Sequence, residues 1–259
     1  MLLFNLTWEE TSQLDREMIV VVPFGSIEQH SHHLPLGTDS ILVEEIARRL
    51  EKRLPAQVLL APTVWLGCSK HHMDFSGSLT AETATFLRVG EEVVESLAQH
   101  GFRKFILLNG HGGNTSKIAV MVESLRYRPG PILKVVGVTY WHLIREEIKS
   151  IRETPLGGMG HSCELETSMM LACRPELVRR DRIEADGPSH RSEFEEMDMF
   201  AGGSVTVAKP FREITRHGGF GDPTRASSQK GEQIFEAVVA KLLRLVDEIQ
   251  SGRLYADFY

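Results

Sequence analysis

Cysteine is scarce and unpatterned. Cys68, Cys163 and Cys173 make an odd number with no CxxC spacing, which argues against a disulfide framework and against a zinc ribbon. Basic charge is in deficit: 29 Lys and Arg stand against 35 Asp and Glu, a net charge of −6. No stretch is strongly basic, so a nucleic-acid partner has no electrostatic footprint. Long apolar runs are missing too. The longest, residues 18–24 and 105–108, are strand-length and far short of a membrane span, and the N-terminus lacks a basic segment followed by a long apolar one. A soluble, cytoplasmic protein without a membrane partner is expected. Internal repeats and low-complexity tracts are absent as well. What is left is ordinary globular composition, 42% hydrophobic and 25% charged over 259 residues, which excludes a disordered chain or a fibre and fits a single domain spanning 1–259. Histidine is the anomaly, with eleven copies.

Residues 18–24 read as a continuous apolar strand, the kind buried on both faces of a parallel sheet. A polar, turn-rich loop follows to Asp39, and residues 40–54 then carry helical spacing in Ile41, Ile46, Ala47 and Leu50. The same order recurs downstream. A short strand at 58–61 leads into a loop over 63–80 and an amphipathic helix over 81–100, stopped by Gly101. A strand at 104–108 ends in Asn109-Gly-His-Gly-Gly-Asn114 and precedes a helix over 115–127; a fourth strand is expected at 132–140. Residues 181–201 read as an acidic surface excursion and 228–254 as a C-terminal helix. Alternating strand, loop and helix predicts an α/β architecture with a mainly parallel sheet and helices on both faces. Ligands in such sheets bind outside the carboxyl ends of the strands. The loops at 25–39 and 109–114 both leave such ends, so they can meet in space.

Chemistry concentrates in those loops. Glu28 and His30 are two apart directly after a strand, so an extended backbone projects both side chains to one side. Asp39 arrives where the next helix begins. Two carboxylates and an imidazole at one strand end form a ligand set for a divalent hydrolytic metal. Taken singly, Asp39 reads equally as a helix cap, Glu28 as a solvated loop residue and His30 as incidental; their joint placement, with Pro and Gly fixing the loop, favours ligands. His111 lies among glycines that permit close backbone approach to a small ligand. The segment matches neither GxGxxG nor GxxxxGK[ST], and a plain Asn-Gly turn remains an equal reading of it alone. Glu164 and Glu166 follow His161 at a helix start. An acidic first turn explains the glutamates but leaves His161 without a purpose, whereas a carboxylate reaching a metal or orienting a water would use it. His32, His33 and His142 read as solvated or core residues, and His71 as solvated.

Together, Pro23-Phe-Gly-Ser-Ile-Glu-Gln-His30, Leu34-Pro-Leu-Gly-Thr-Asp39, Asn109-Gly-His-Gly-Gly-Asn114, His161-x-x-Glu-x-Glu-Thr-Ser168 and Gly221-Asp-Pro223 resemble, in matching order, the creatininase (creatinine amidohydrolase) family. The resemblance implies a three-layer α/β/α sandwich, a homo-oligomer of hexameric type, and hydrolysis of carbon–nitrogen bonds in small amides by two divalent ions (Zn, Mn or Fe). Members include creatininase, formamidopyrimidine-nucleotide deformylases and a mycofactocin precursor peptidase; one branch hydrolyses a ring carbon bond of a keto-inosose.

Carried across, Glu28, Asp39 and His111 look like ligands of one ion, and His30 with a bridging Asp39 looks like part of the other. Creatininase itself resembles Asn-Gly-His-Tyr-Glu-Asn in the third motif and uses that Glu as a ligand, whereas this chain has Gly113. The resemblance therefore assigns Glu164 to complete the second ion, and a carboxylate returned to position 113 is expected to substitute for it if the loop accepts a Cβ. The missing Tyr-Glu also argues against creatinine as substrate. Cys163 stands where the family's His-Ala-Gly-Glu has glycine. The implied mechanism is attack by a metal-bridging hydroxide on a polarised carbonyl, with His161 as general acid and Glu166 holding its imidazole. Ser69 and His72 are expected to contact substrate, and Trp65 and Phe75 fit either a pocket wall or the core. Two rival readings share the motifs: a metal-dependent hydrolase, lyase or isomerase acting on a keto-cyclitol or sugar, and a non-catalytic family member.

Overall fold

The computed structural model describes residues 1–187, 194, 195, 197–201 and 204–255. Strands β1 (Ile19–Phe24), β2 (Val58–Leu60), β3 (Lys104–Asn109) and β4 (Lys134–Thr139) form one parallel sheet in the order β2-β1-β3-β4. β1 and β3 pair in register from Ile19↔Lys104 to Phe24↔Asn109, so their carboxyl ends finish level. Pro23 is tolerated in this central strand because β2 pairs only with Ile19 to Val21; the missing N–H falls beyond the end of that neighbour.

Alternation along β1 divides the core. Ile19 and Val21 pack with Leu42, Ile46 and Leu50 of α1 (Thr38–Arg53), Met169 of α4 (Glu164–Cys173), and Val238 and Leu242 of α5 (Ser228–Gln250). Val20, Val22 and Phe24 face the other way, onto Phe86 and Val94 of α2 (Thr83–Gln99) and Met121 and Leu125 of α3 (Thr115–Tyr127). Side chains of successive strand residues point to opposite faces, so a strand apolar at every position requires a helical layer on each side. The expected three-layer α/β/α sandwich with a mainly parallel sheet is therefore observed. Gly101, at φ +100° just past α2, ends that helix as anticipated. No helix among the described residues is long and apolar enough to cross a membrane.

A second, two-stranded antiparallel sheet pairs β5 (Met159–His161) with β6 (Phe220–Gly221) and carries His161 to the loop that follows the central strand β1. The surface excursion expected at 181–201 is seen at Asp181, Arg182, Glu184, Ala185 and Phe194, which are exposed, but not at Asp198; residues 188–193 and 196 lie outside the described residues. Asp198 is buried, takes the guanidinium of Arg152 at 2.8 Å and accepts the backbone N–H of Gly157 at 2.7 Å, so this part of the segment is built into the fold.

Candidate metal centre

β1 and β3 lie at the point where the sheet changes direction, β1 running on to β2 and β3 to β4, which is where open α/β sheets bind ligands. The loop after β1 delivers Glu28 and His30, the first turn of α1 delivers Asp39, and the loop after β3 delivers His111. All four are buried, as is Glu166 from the first turn of α4. Asp39 is the hub. Its Oδ1 lies 3.2 Å from His30 Nε2 and its Oδ2 lies 3.0 Å from His111 Nδ1. Glu28 Oε2 faces the same His111 Nδ1 at 3.3 Å, and Glu166 Oε1 faces the same His30 Nε2 at 3.9 Å. Asp39 makes no side-chain cap to α1, whose cap position is Gly37.

Two backbone features hold in place the loops that carry these residues. Ser31 and Ser162 are the non-glycine residues with positive φ among the described residues, at 57° and 55°, and such costs cluster where function over-determines the backbone. The Ser162 hydroxyl donates to the carbonyl of His30 at 2.7 Å, and its N–H donates to Glu166 Oε2. Cys163, where the family motif has glycine, sits at an ordinary φ of −101°, so the backbone there does not require glycine.

Three carboxylates are only 1% (Glu28) and 3% (Asp39, Glu166) exposed, a density that requires positive charge close by. Burial opposes ionisation of Glu28, yet His111 and His72 hold its carboxyl well below the usual carboxylate range. Burial equally opposes protonation of His30 and His111. Asp39 and Glu166 push His30 well above the usual imidazole range, and Glu28 and Asp39 do the same for His111. Buried Asp39 Oδ2 has no donor in hydrogen-bond geometry even though His111 is 3.0 Å away. The ligand atoms of His30, Asp39 and Glu166 lie within 4.8 Å of one another, as do those of Glu28, His71 and His111 and of Glu28, His30 and His161. Mixed imidazole and carboxylate donors at such spacing fit divalent zinc, manganese or iron.

Glu164 is not brought to this centre. It points the other way, ion-paired to Lys230 Nζ at 2.5 Å and accepting from the Thr154 hydroxyl at 2.6 Å and the backbone N–H groups of Glu153 and Thr154 at 3.0 Å each. Burial works against its ionisation, but Lys230 and Thr154 more than offset this and lower its pKa. On a helix, residues two apart project about 200° away from each other, so only one of Glu164 and Glu166 can face the centre. The expected rescue from position 113 fails as well. A Cβ there would lie 2.2 Å from the carbonyl oxygen of Cys68 and 2.4 Å from His111 Nε2.

His161 does reach the centre, but Glu166 makes no hydrogen bond to it. His161 Nε2 donates to the carbonyl of Gln29 at 2.7 Å, and Nδ1 is left 3.7 Å from Glu28 Oε1. Burial, with His30 and His72 adding to it, holds its pKa well below the usual imidazole range. Gln29 is the positioning residue that the sequence did not single out. Its Oε1 accepts from Ser31 N at 2.9 Å and its Nε2 donates to the carbonyl of Gly218 at 2.8 Å, which fixes the amide orientation. The same Nε2 reaches His72 Nδ1 at 2.7 Å. His72 therefore carries its hydrogen on Nε2, directed at Glu28 Oε1 3.2 Å away. The clue was its place in the motif, between Glu28 and His30.

Ser69, expected to contact substrate, is not among the residues lining the cavity over the centre. It is fully buried, donates to Glu28 Oε2 at 2.6 Å and lies 2.6 Å from Ser26 Oγ, so it supports a carboxylate. His72 does line the cavity of about 280 Å³ over the centre, together with Glu28, Asp39, His111, His161 and Glu166. The aromatic walls of that cavity are Trp141 and Phe211. Phe211 lies tilted against His72 at 4.1 Å and meets His161 edge-on at 5.0 Å. Trp65, 51% exposed, and Phe75 are not among its lining residues. His71, read as solvated, is half-buried in the wall, stacked 5.8 Å from His111.

Comparison with known proteins agrees with this geometry. The family described as creatinine amidohydrolase matches residues 5–246. Creatinine amidohydrolase of Pseudomonas putida is 28% identical, with 94% of this chain and 95% of that protein covered. The mycofactocin precursor peptide peptidase of Mycobacterium tuberculosis is 31% identical over 88% of this chain and 84% of that protein. A manganese creatininase structure superposes with a TM-score of 0.79 at 27% identity, covering 95% and 97% of the two chains. The chain belongs to the creatininase family and is an enzyme of its metal-dependent amidohydrolase type.

Proposed function

We propose that this enzyme hydrolyses a carbon–nitrogen bond in a small amide, cyclic amide or formamide, using two divalent ions. Glu28, Asp39 and His111 would hold one ion, and His30, Asp39 and Glu166 the other. The observation that carries this reading is the division of Asp39, whose two oxygens face different imidazoles at 3.2 and 3.0 Å, as a carboxylate shared between two sites would. When bound, such ions polarise a carbonyl and lower the pKa of water.

The chain's own groups complete the chemistry. Gln29 keeps the hydrogen of His161 on Nε2, so Nδ1 is free to accept a proton at the centre and return it to the departing nitrogen. Trp141 and Phe211 wall the cavity and limit water around the reacting bond. Its volume of about 280 Å³ suits a small molecule, and Gly112 and Gly113 in place of Tyr-Glu favour a substrate other than creatinine. Three unpaired cysteines are consistent with a reducing cytoplasm. The exposed aromatics Phe4, Trp8 and Trp65 support assembly into a homo-oligomer, for which light scattering is the check.

Turnover of a panel of formamides, cyclic amides and keto-cyclitols by zinc-, manganese- and iron-loaded protein tests the reading. Hydrolysis confined to the amide members is expected; activity on the keto-cyclitols alone overturns it. His161→Ala should keep its metal while losing about 10²–10⁴-fold in turnover. Loss of metal in that variant would make His161 a ligand.

A further inference from the structure

A second cluster of metal-ligating side chains lies behind Gln29. The rings of His32 and His217 lie with centroids 4.8 Å apart, tilted by 33°, and one ligand atom each from His32, His217 and Glu184 lie within 4.8 Å of one another. The His217 side chain is only 9% exposed. Its Nε2 has no hydrogen-bond partner, because Glu184 Oε1, 3.3 Å away, lies out of hydrogen-bond geometry. The other nitrogen is fully engaged. Nδ1 is 2.7 Å from Ser31 Oγ and 3.2 Å from Asp186 Oδ2, and Asp186 is itself held by the backbone N–H groups of Arg216 and His217. With the hydrogen on Nδ1, donated to the Ser31 hydroxyl, the Nε2 lone pair is directed at Glu184 and His32. A metal-ligating histidine is commonly fixed in this way, its far nitrogen held by a hydrogen bond.

We infer that His32, Glu184 and His217 form a third divalent-cation site, separate from the centre around Asp39. Two imidazoles and one carboxylate select zinc over magnesium or calcium and leave the remaining coordination positions to water. The ion would tie together three segments: the loop carrying His30, the strand-flanking residues 184–187, and the 215–221 loop. Gln29 donates to Gly218, next to His217, so the site braces the residue that orients His72 and His161.

Metal content of the full chain, loaded with zinc and desalted to strip loosely held ions, tests this. His32 and Glu184 are exposed, so His32→Ala and Glu184→Gln are expected to fold as the parent does, with circular dichroism as the check. Each variant should carry one zinc fewer per chain than the parent and keep the ions of the Asp39 centre. Cobalt loading gives an independent readout: the parent's visible absorption should lose one component in both variants. Equal zinc content in parent and variants overturns the inference, as does a cobalt spectrum unchanged by either substitution.

Discussion

Gln29 and His161 are joined through the Gln29 backbone carbonyl, which accepts from the imidazole Nε2 at 2.7 Å. The Gln29 side-chain amide donates instead to His72 Nδ1 and to the carbonyl of Gly218. One residue thereby orients two imidazoles that face Glu28, His161 by its carbonyl and His72 by its amide.

Gln29→Ala should leave the ions bound but lower kcat by about 10–100-fold, the scale of losing a group that orients active-site ligands. Steady-state kinetics with metal analysis is the check. A change in KM alone would show that Gln29 binds substrate instead.

Glu164 and Glu166 should behave oppositely. Glu166→Gln is expected to lose one ion and most activity. Glu164→Gln should keep its full metal content and lose about 1–3 kcal/mol of stability, because a buried charge-assisted network is left incomplete, with Glu153 still pairing Lys230 at 2.8 Å. Urea denaturation and metal analysis of the two variants decide the matter, and loss of an ion in Glu164→Gln would return that residue to the centre.

Gly113→Glu should not recreate a ligand. Its Cβ would overlap the Cys68 carbonyl and His111 Nε2, so a loss of about 1–3 kcal/mol is expected from overpacking, together with weaker metal binding through a displaced His111. A stable variant with raised metal affinity would contradict this.

Acid should destabilise the fold in part through His33. This residue is buried, with Nε2 2.8 Å from Thr167 Oγ1, and burial foremost, with His30 adding to it, pushes its pKa down from 6.5 to about 4. Between those values the unfolded chain binds more protons than the folded one, so stability rises with pH. The contribution is complete above pH 6.5 and is lost as pH falls through about 4, with a slope of at most about 1.4 kcal/mol per unit. Parent and His33→Gln should therefore converge in urea midpoint as pH drops across this window; parallel curves would show that His33 does not titrate there.

The sequence by itself determined the layers and most of the residues gathered at the candidate centre. Strands apolar at every position need cover on both faces, and β1 and β3 received it. Glu28, His30, Asp39 and His111 were legible because the carboxyl ends of adjacent parallel strands bring their loops together wherever the sheet turns. Only the tertiary structure decided the fifth position. Glu164 and Glu166 share a chemistry and a helix, and no spacing rule tells which side of α4 faces the centre; packing of α4 against the sheet and α5 set its rotation, and Lys230 on α5 took the carboxylate that turned away. The same holds for Ser69, His71 and Gln29. Whether a polar loop residue faces the cavity, supports a carboxylate or fills a wall depends on partners 40 or more residues away in the chain, such as Glu28 for Ser69 and Gly218 for Gln29.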